Sequence, residues 1–137
     1  MYIDKNLLLS DAQVICNAAT ELSTNTIDLG AARKMWGGKQ LYVVIIIDVT
    51  IASVTSINFQ VVTDSVATLD DTPTVQIETG AIAQASLTAG RAPIVIPIGS
   101  ALGTEERYLG INYVLAGSVN ATGKVTAFVA FDAPGNP

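Results

Sequence analysis

"LYVVIIIDVT", residues 41–50, runs unbroken through apolar side chains from Leu41 to Ile47 before it meets Asp48. The run is rich in β-branched residues and too short for a buried helix, so it reads as a central strand. The next stretches keep the same character. "SINFQVVT" (56–63) sets Ile57, Phe59 and Val61 on one side and Asn58 and Gln60 on the other, the two-residue period of a half-buried strand. "TVQIET" (74–79) repeats it, with Val75 and Ile77 expected inward and Glu78 outward. "APIVIPIG" (92–99) holds Pro93 and Pro97. Proline cannot donate to a ladder, which places this strand at an edge. "RYLGINYVLAG" (107–117) and "KVTAFVAFDA" (124–133) complete six strand signals. Turn compositions separate them: "DDTP" (70–73), "LTAGRAP" (87–93), "GSALGTEE" (99–106) and "AGSVNATG" (116–123). Strands at this spacing predict an all-β, antiparallel sandwich or barrel.

The first forty residues are less regular. "MYIDKNLLL" (1–9) has the composition of a strand. "SDAQVICNAATEL" (10–22) opens with Ser10 and Gln13 at capping-box spacing, which fits a helix. A strand through Gln13–Cys16 followed by a loop is the preferred reading. "STNTIDLG" (23–30) reads as a short strand closed by Gly30, and "AARKMWGGKQ" (31–40) as a loop. The expectation is one β-sandwich domain over 1–137, with 1–40 as a less regular N-terminal portion; the length fits a single domain.

Charge and composition narrow the functional classes. The formal net charge is −5. Residues 1–40 balance four acids against Lys5, Arg33, Lys34 and Lys39, and all of the excess lies beyond residue 40. An acidic chain is repelled by phosphate backbones, so no nucleic-acid partner is expected. No apolar run approaches the length of about 20 residues that a spanning helix needs, and "MYIDKNLLLSD" does not read as a secretory signal. No membrane partner is expected. Histidine is absent, which removes the commonest general base and metal ligand. The lone Cys16 has no histidine to activate it and reads as a buried thiol.

Several stretches imitate catalytic motifs and fail on detail. Glu105, Glu106, Arg107, Tyr108 and Tyr113 crowd into nine positions. Strand alternation, however, puts Arg107, Leu109, Ile111, Tyr113 and Leu115 on one face and Tyr108, Gly110, Asn112 and Val114 on the other. The two tyrosines therefore cannot act together. "GSVNATGKV" (117–125) lacks the glycine at 118 and the Ser or Thr after Lys124 that a phosphate-binding loop requires, and reads as a hairpin turn. "ETG" at 78–80 resembles an aspartic-protease triplet, but glutamate is too long for two carboxyls to share one proton there. Asp70 and Asp71 sit in a turn without further calcium ligands. Asn120-Ala121-Thr122 is a glycosylation sequon in a turn. No catalytic residue, cofactor or metal is expected. The remaining candidate is "AARKMWGGK". It sets Met35 and the only tryptophan, Trp36, beside Arg33, Lys34 and Lys39, and these residue types are enriched at interfaces. These five residues are the candidate protein interface. The competing reading makes Trp36 a plug at one end of the sandwich.

In order along the chain, "LLLSDAQVI" (7–15), "STNTIDLG", "LYVVIIIDV", "LTAGRAPIVIPIG", "ERYLGINYVLAG" and "KVTAFVAFD" resemble the capsid cement proteins of short-tailed bacteriophages of the Bordetella-phage type. "SDAQ" (10–13), "STNTIDLG" and "RYLGINY" (107–113) carry the resemblance most specifically. It implies a jelly-roll-like β-sandwich. It also implies a homodimer on the outer surface of the phage head, made in the host cytoplasm and binding the major capsid protein, with no catalysis. A carbohydrate-binding β-sandwich module is the alternative, and it predicts coplanar exposed aromatics. A small dimeric hydrolase built on Glu78 or on Asp70 and Asp71 is a third reading.

Overall fold

The computed structural model describes residues 3–32, 40–70, 72–98 and 106–132. It is all-β: a curled antiparallel sheet that forms a half-barrel, a sandwich-like arrangement around one core. The strands are β1 (Leu8–Val14), β2 (Thr20–Leu22), β3 (Ile27–Asp28), β4 (Leu41–Asp64), β5 (Thr74–Ala83), β6 (Ile94–Ile98) and β7 (Tyr108–Ala130). Single 3-10 turns at Lys5–Leu7 and Gln84–Ser86 are its only helical pieces among the described residues.

Two long strands, β4 and β7, form the spine and pair antiparallel along their whole length. The first half of β4 pairs with β6 on one side and with the second half of β7 on the other. The second half of β4 pairs with β5 and with the first half of β7. Strand β1 adds to the far half of β7, and β2 and β3 add to its near half. Each spine strand thus serves both walls of the curl.

The sequence predicted two strands where β4 runs as one, and two again where β7 does. "DVTIASVTS" contains no glycine or proline, so nothing ends β4 there. The chain bends instead, through register shifts between Ile47 and Ser56, with Ser53 at φ 68°. Such bulges increase twist and bend a strand. Opposite them, "AGSVNATG" does not make the expected hairpin turn. It remains in β7 and follows the bend with Gly117 at φ 97°. A Cβ at Gly117 would lie 2.9 Å from the Thr55 backbone nitrogen, so the two strands approach too closely for any side chain. The segment after β5 covers this bend. Leu87 is fully buried, its carbonyl accepts from the Ile51 amide at 3.0 Å, and Gln84 Nε2 donates to the Ile51 carbonyl at 3.1 Å.

The core follows the expected alternation over most of the chain. Val43, Ile45 and Ile47 of β4 share one cluster with Leu9, Ile15 and with Val125, Ala127 and Val129 of β7. Beyond the bend Ile57, Phe59 and Val61 join Leu109, Ile111, Tyr113 and Leu115. Phe59 and Tyr113 meet edge to face with centroids 5.8 Å apart, a favoured aromatic geometry. One expectation is corrected. Val75 is 45% exposed, because the β4–β5 register shifts between Val61–Ile77 and Val62–Val75 and turns Val75 outward. Strand β6 lies at an edge, as Pro97 requires, with Pro97 opposite Tyr42; Pro93 stands just before the strand.

Candidate functional site

The three most specific sequence stretches converge on one place, the junction of β1, β2, β3 and β7. "SDAQ" is not a helix start. It lies in β1, where Ala12 takes φ 44°. The Ser10 hydroxyl donates to Gln13 Oε1 at 2.7 Å and pairs with the Tyr113 hydroxyl at 2.8 Å. A serine has one proton to give, so Tyr113 is the donor in the second bond. Gln13 carries the link onward: its Nε2 donates to the Leu22 carbonyl at 2.8 Å, and its Oε1 accepts from the Thr24 amide at 2.9 Å. Burial pushes the Tyr113 phenol well above its usual range. It stays neutral and acts as a strut.

"STNTIDLG" locks to "RYLGINY" by the same means. The Ser23 amide donates to the Ile111 carbonyl at 2.8 Å, and Ser23 Oγ accepts from the Ile111 amide at 3.1 Å. Arg107 grips Asp28 with two bonds, at 2.7 and 2.9 Å, and its guanidinium lies 5.2 Å from the centre of the Tyr108 ring. The Arg107 hydrogen bond holds the Asp28 carboxyl down to about 2. Gly110 faces the side opposite Tyr113. A Cβ there would strike Leu69 Cδ1 and come within 3.0 Å of Ser23 Oγ. The gap seats Leu69, which is fully buried at φ 54°, so the chain after β4 folds back over this outer face. Thr26 Oγ1 pins the same segment by donating to the Ala67 carbonyl at 3.1 Å.

Among the described residues, the groups that imitated catalytic motifs are held apart or occupied. Glu106 Oε1 accepts from Thr63 Oγ1 at 2.9 Å, while its neighbour Arg107 is committed to Asp28. Glu78 Oε2 accepts from both Asn58 Nδ2 and Gln60 Nε2 at 2.8 Å, and these bonds keep its carboxyl below the usual range. A carboxylate held ionised in this way is a poor proton donor. Cys16 is buried, and burial together with the Glu21 charge pushes its thiol up, away from the reactive thiolate. Burial also raises Glu21, while the Asn17 amide bonds to it; Glu21 Oε2 has no partner. Among the described residues no cluster of three or more His, Cys, Asp or Glu is placed to hold a metal.

Beyond these groups the molecule presents an outer polar face. Asn112 Nδ2 donates to Gln60 Oε1 at 3.1 Å, Gln60 Nε2 donates to Glu78, and Asn58 Nδ2 donates to the same carboxylate. The relay crosses β7, β4 and β5 on the face opposite the core. At its β7 end lies a pocket of about 350 Å³, lined by Thr20, Glu21, Leu22, Asp70, Pro73 and Asn112. Sequence reading missed both features. Alternation did put Asn58, Gln60 and Asn112 outside, but only the strand order brings them side by side. The predicted interface residues Arg33, Lys34, Met35, Trp36 and Lys39 lie outside the described residues, as do Asp71 and Glu105.

Fold and site together define an all-β module with open edge strands, an internal lock of side-chain hydrogen bonds and a polar outer face. The chain belongs to the Bbp16 family, whose model matches residues 9–129, and is thus a Bordetella-phage-type protein. The match takes in all seven strands, short only of the first residue of β1 and the last of β7. Among curated proteins none matches the chain.

Proposed function

We propose that this chain is a capsid cement protein, which binds the outside of a phage head and stabilises contacts between major capsid proteins. The observation that carries the reading is the family match over residues 9–129, to a phage family and along nearly the whole β framework. Two features of the molecule support it. The carboxylates Asp28, Glu78 and Glu106 each serve a structural hydrogen bond rather than a cleft. Val14, Val49, Val66, Val75 and Phe131 are large apolar side chains left exposed, and covering them with a partner removes apolar surface from water. In this reading the protein is a non-catalytic homodimer and needs no cofactor. Repetition over a symmetric shell makes individually weak contacts effective by avidity. Capsid expansion completes the site, so the expanded lattice is preferred. Of the described aromatic side chains only Phe131 is exposed, whereas the alternative, a carbohydrate-binding module, calls for several coplanar exposed rings.

The test is co-sedimentation of the purified protein with expanded heads that lack it, titrated to saturation. The expected result is a plateau at a fixed ratio to the major capsid protein, with heads that better resist heat and low salt. No binding at micromolar protein would overturn the proposal. Equal binding to unexpanded shells would remove the preference for the expanded lattice.

A further inference from the structure

We infer that the pocket between β2 and the segment bearing Asp70 and Pro73 is a receptor for a basic side chain, lysine or arginine, of a partner protein. The inference rests on the reading of this chain as a binding protein only for the carrier of that side chain; the chemistry of the pocket stands by itself.

The first observation is an acceptor without a donor. Asn112 is 8% exposed, and its Oδ1 has no hydrogen-bond partner. Native proteins leave few buried polar atoms in that state, because the missing bond costs free energy. The direction of this oxygen follows from the rest of the amide. Nδ2 is committed to Gln60 on β4. The two heteroatoms diverge from Cγ, so Oδ1 is turned away from β4 and toward β2. Leu22 of β2 is the residue paired with Asn112, and both line the pocket.

The second observation is electrostatic. Among the described lining residues Glu21 supplies a carboxylate whose Oε2 has no partner, and none of them is a lysine or arginine. The Asn112 amide also stands at the head of a relay that ends on the Glu78 carboxylate, Asn112 to Gln60 to Glu78. Each amide that donates toward an anion is polarised by it, which enriches its own carbonyl oxygen. The orphan acceptor is therefore stronger than that of an isolated asparagine, and its natural complement is a cationic N–H donor.

The third observation is that the pocket is built and wide enough. Its volume of about 350 Å³ accommodates one long side chain, near the lower end of the range for ligand pockets. Its wall is fixed by Leu69 in the gap at Gly110 and by the Thr26 bond to Ala67. Pro73 and Leu22 supply apolar surface for the methylene stem, the division of labour that lysine and arginine stems exploit.

The test uses the full chain, ¹⁵N-labelled, titrated with Nα-acetyl-lysine methylamide, with the arginine analogue, and with Nα-acetyl-norleucine methylamide as the neutral control. The expected result is saturable shifts at the backbone amides of Thr20, Leu22 and Asn112 and at the Asn112 side-chain amide. The basic probes should bind at least about tenfold more tightly than norleucine, a gap of roughly 1.4 kcal/mol. Glu21→Gln and Asn112→Val, each confirmed folded by its spectrum, should weaken the basic probes by a similar factor. An equal response to norleucine, or an Asn112→Val protein that binds unchanged, would overturn the inference. So would the absence of shifts up to about 100 mM probe, well beyond the millimolar range expected for one side chain. Head binding separates the two proposals. Probe binding without head binding defeats the cement reading alone, and undiminished head binding by both variants defeats the pocket as its contact.

Discussion

Ser10, Gln13 and Tyr113 offer the most direct test of the internal lock. Tyr113→Phe removes one buried hydroxyl and leaves the ring packed edge to face on Phe59. Ser10 keeps its bond to Gln13, so no donor is stranded. The expected cost is that of one buried hydrogen bond, about 1–1.5 kcal/mol. Ser10→Ala costs more, because the fully buried Tyr113 hydroxyl then loses its acceptor and Gln13 Oε1 loses a donor. About 2–3 kcal/mol is expected, since a stranded buried donor carries its desolvation penalty. In the double variant Tyr113 has no hydroxyl left to strand. Its cost should therefore fall short of the sum of the two single costs by about 1 kcal/mol or more, the coupling of groups in direct contact. Urea unfolding followed by circular dichroism measures all three, with unchanged slopes confirming that the native and unfolded states are comparable. Strict additivity, within about 0.3 kcal/mol, would show that the two hydroxyls do not depend on each other and would refute the lock.

Single groups elsewhere supply further tests. Asp28 titrates below its ordinary value when folded, so its contribution is complete above that ordinary value and is lost as pH falls through about 2. Asp28→Asn should accordingly flatten the acid limb of a stability–pH curve measured between about pH 5 and 2. Glu21 shifts the opposite way: its folded value is raised, so the folded state binds its proton more tightly and stability declines as pH rises through that raised value. Glu21→Gln should raise the melting temperature at pH 8 and change little at pH 4; a lower melting temperature at pH 8 would contradict the account. Gly117 and Gly90 both have positive φ, 97° and 86°, but only at Gly117 does a Cβ meet backbone. Gly90→Ala should cost about 1 kcal/mol from the backbone conformation alone, and Gly117→Ala at least about 2 kcal/mol more. Equal costs in urea titrations would show that the spine strands can part at the bend.

Much of the framework was legible because burial alternates with period two. Val43, Ile45 and Ile47, or Leu109, Ile111 and Tyr113, announce an inner face that the structure keeps. Continuity of the strands was not legible in this way. A bend at Ser53 or Gly117 depends on a partner strand bending with it, and turn-like composition such as "AGSVNATG" describes either a turn or a bulged corner. The capping-box spacing of Ser10 and Gln13 was a true signal with a different meaning. The two side chains do bond to each other, but across a strand kink at Ala12 that binds Tyr113, 103 residues away in sequence. Val75 was misplaced because a one-residue register shift reverses a face, and the pattern "TVQIET" contains no sign of it.

The division between lock and outer face bears on where recognition resides. The side-chain bonds of Ser10, Gln13, Ser23, Asp28, Arg107 and Tyr113 tie one part of the framework to another. A resemblance carried by "SDAQ", "STNTIDLG" and "RYLGINY" therefore transmits the fold, and transmits contacts with a partner only indirectly. Recognition must use side chains that the framework leaves unspent. Among the described residues these include exposed apolar side chains such as Val14, Val49 and Val66, and the orphan oxygen of Asn112. The apolar residues gain free energy against almost any dry surface, whereas an unpaired acceptor discriminates, because only a partner with a donor in the right place relieves it. Affinity and selectivity would then reside on different residues. Truncating Val14 or Val49 to alanine should weaken attachment to expanded heads and unexpanded shells alike. Asn112→Val should instead narrow the difference between them, if expansion is what presents the basic side chain. Competition sedimentation with both shells in one tube measures that ratio directly, and a ratio unchanged by Asn112→Val, with Val14→Ala changing it instead, would reverse the assignment.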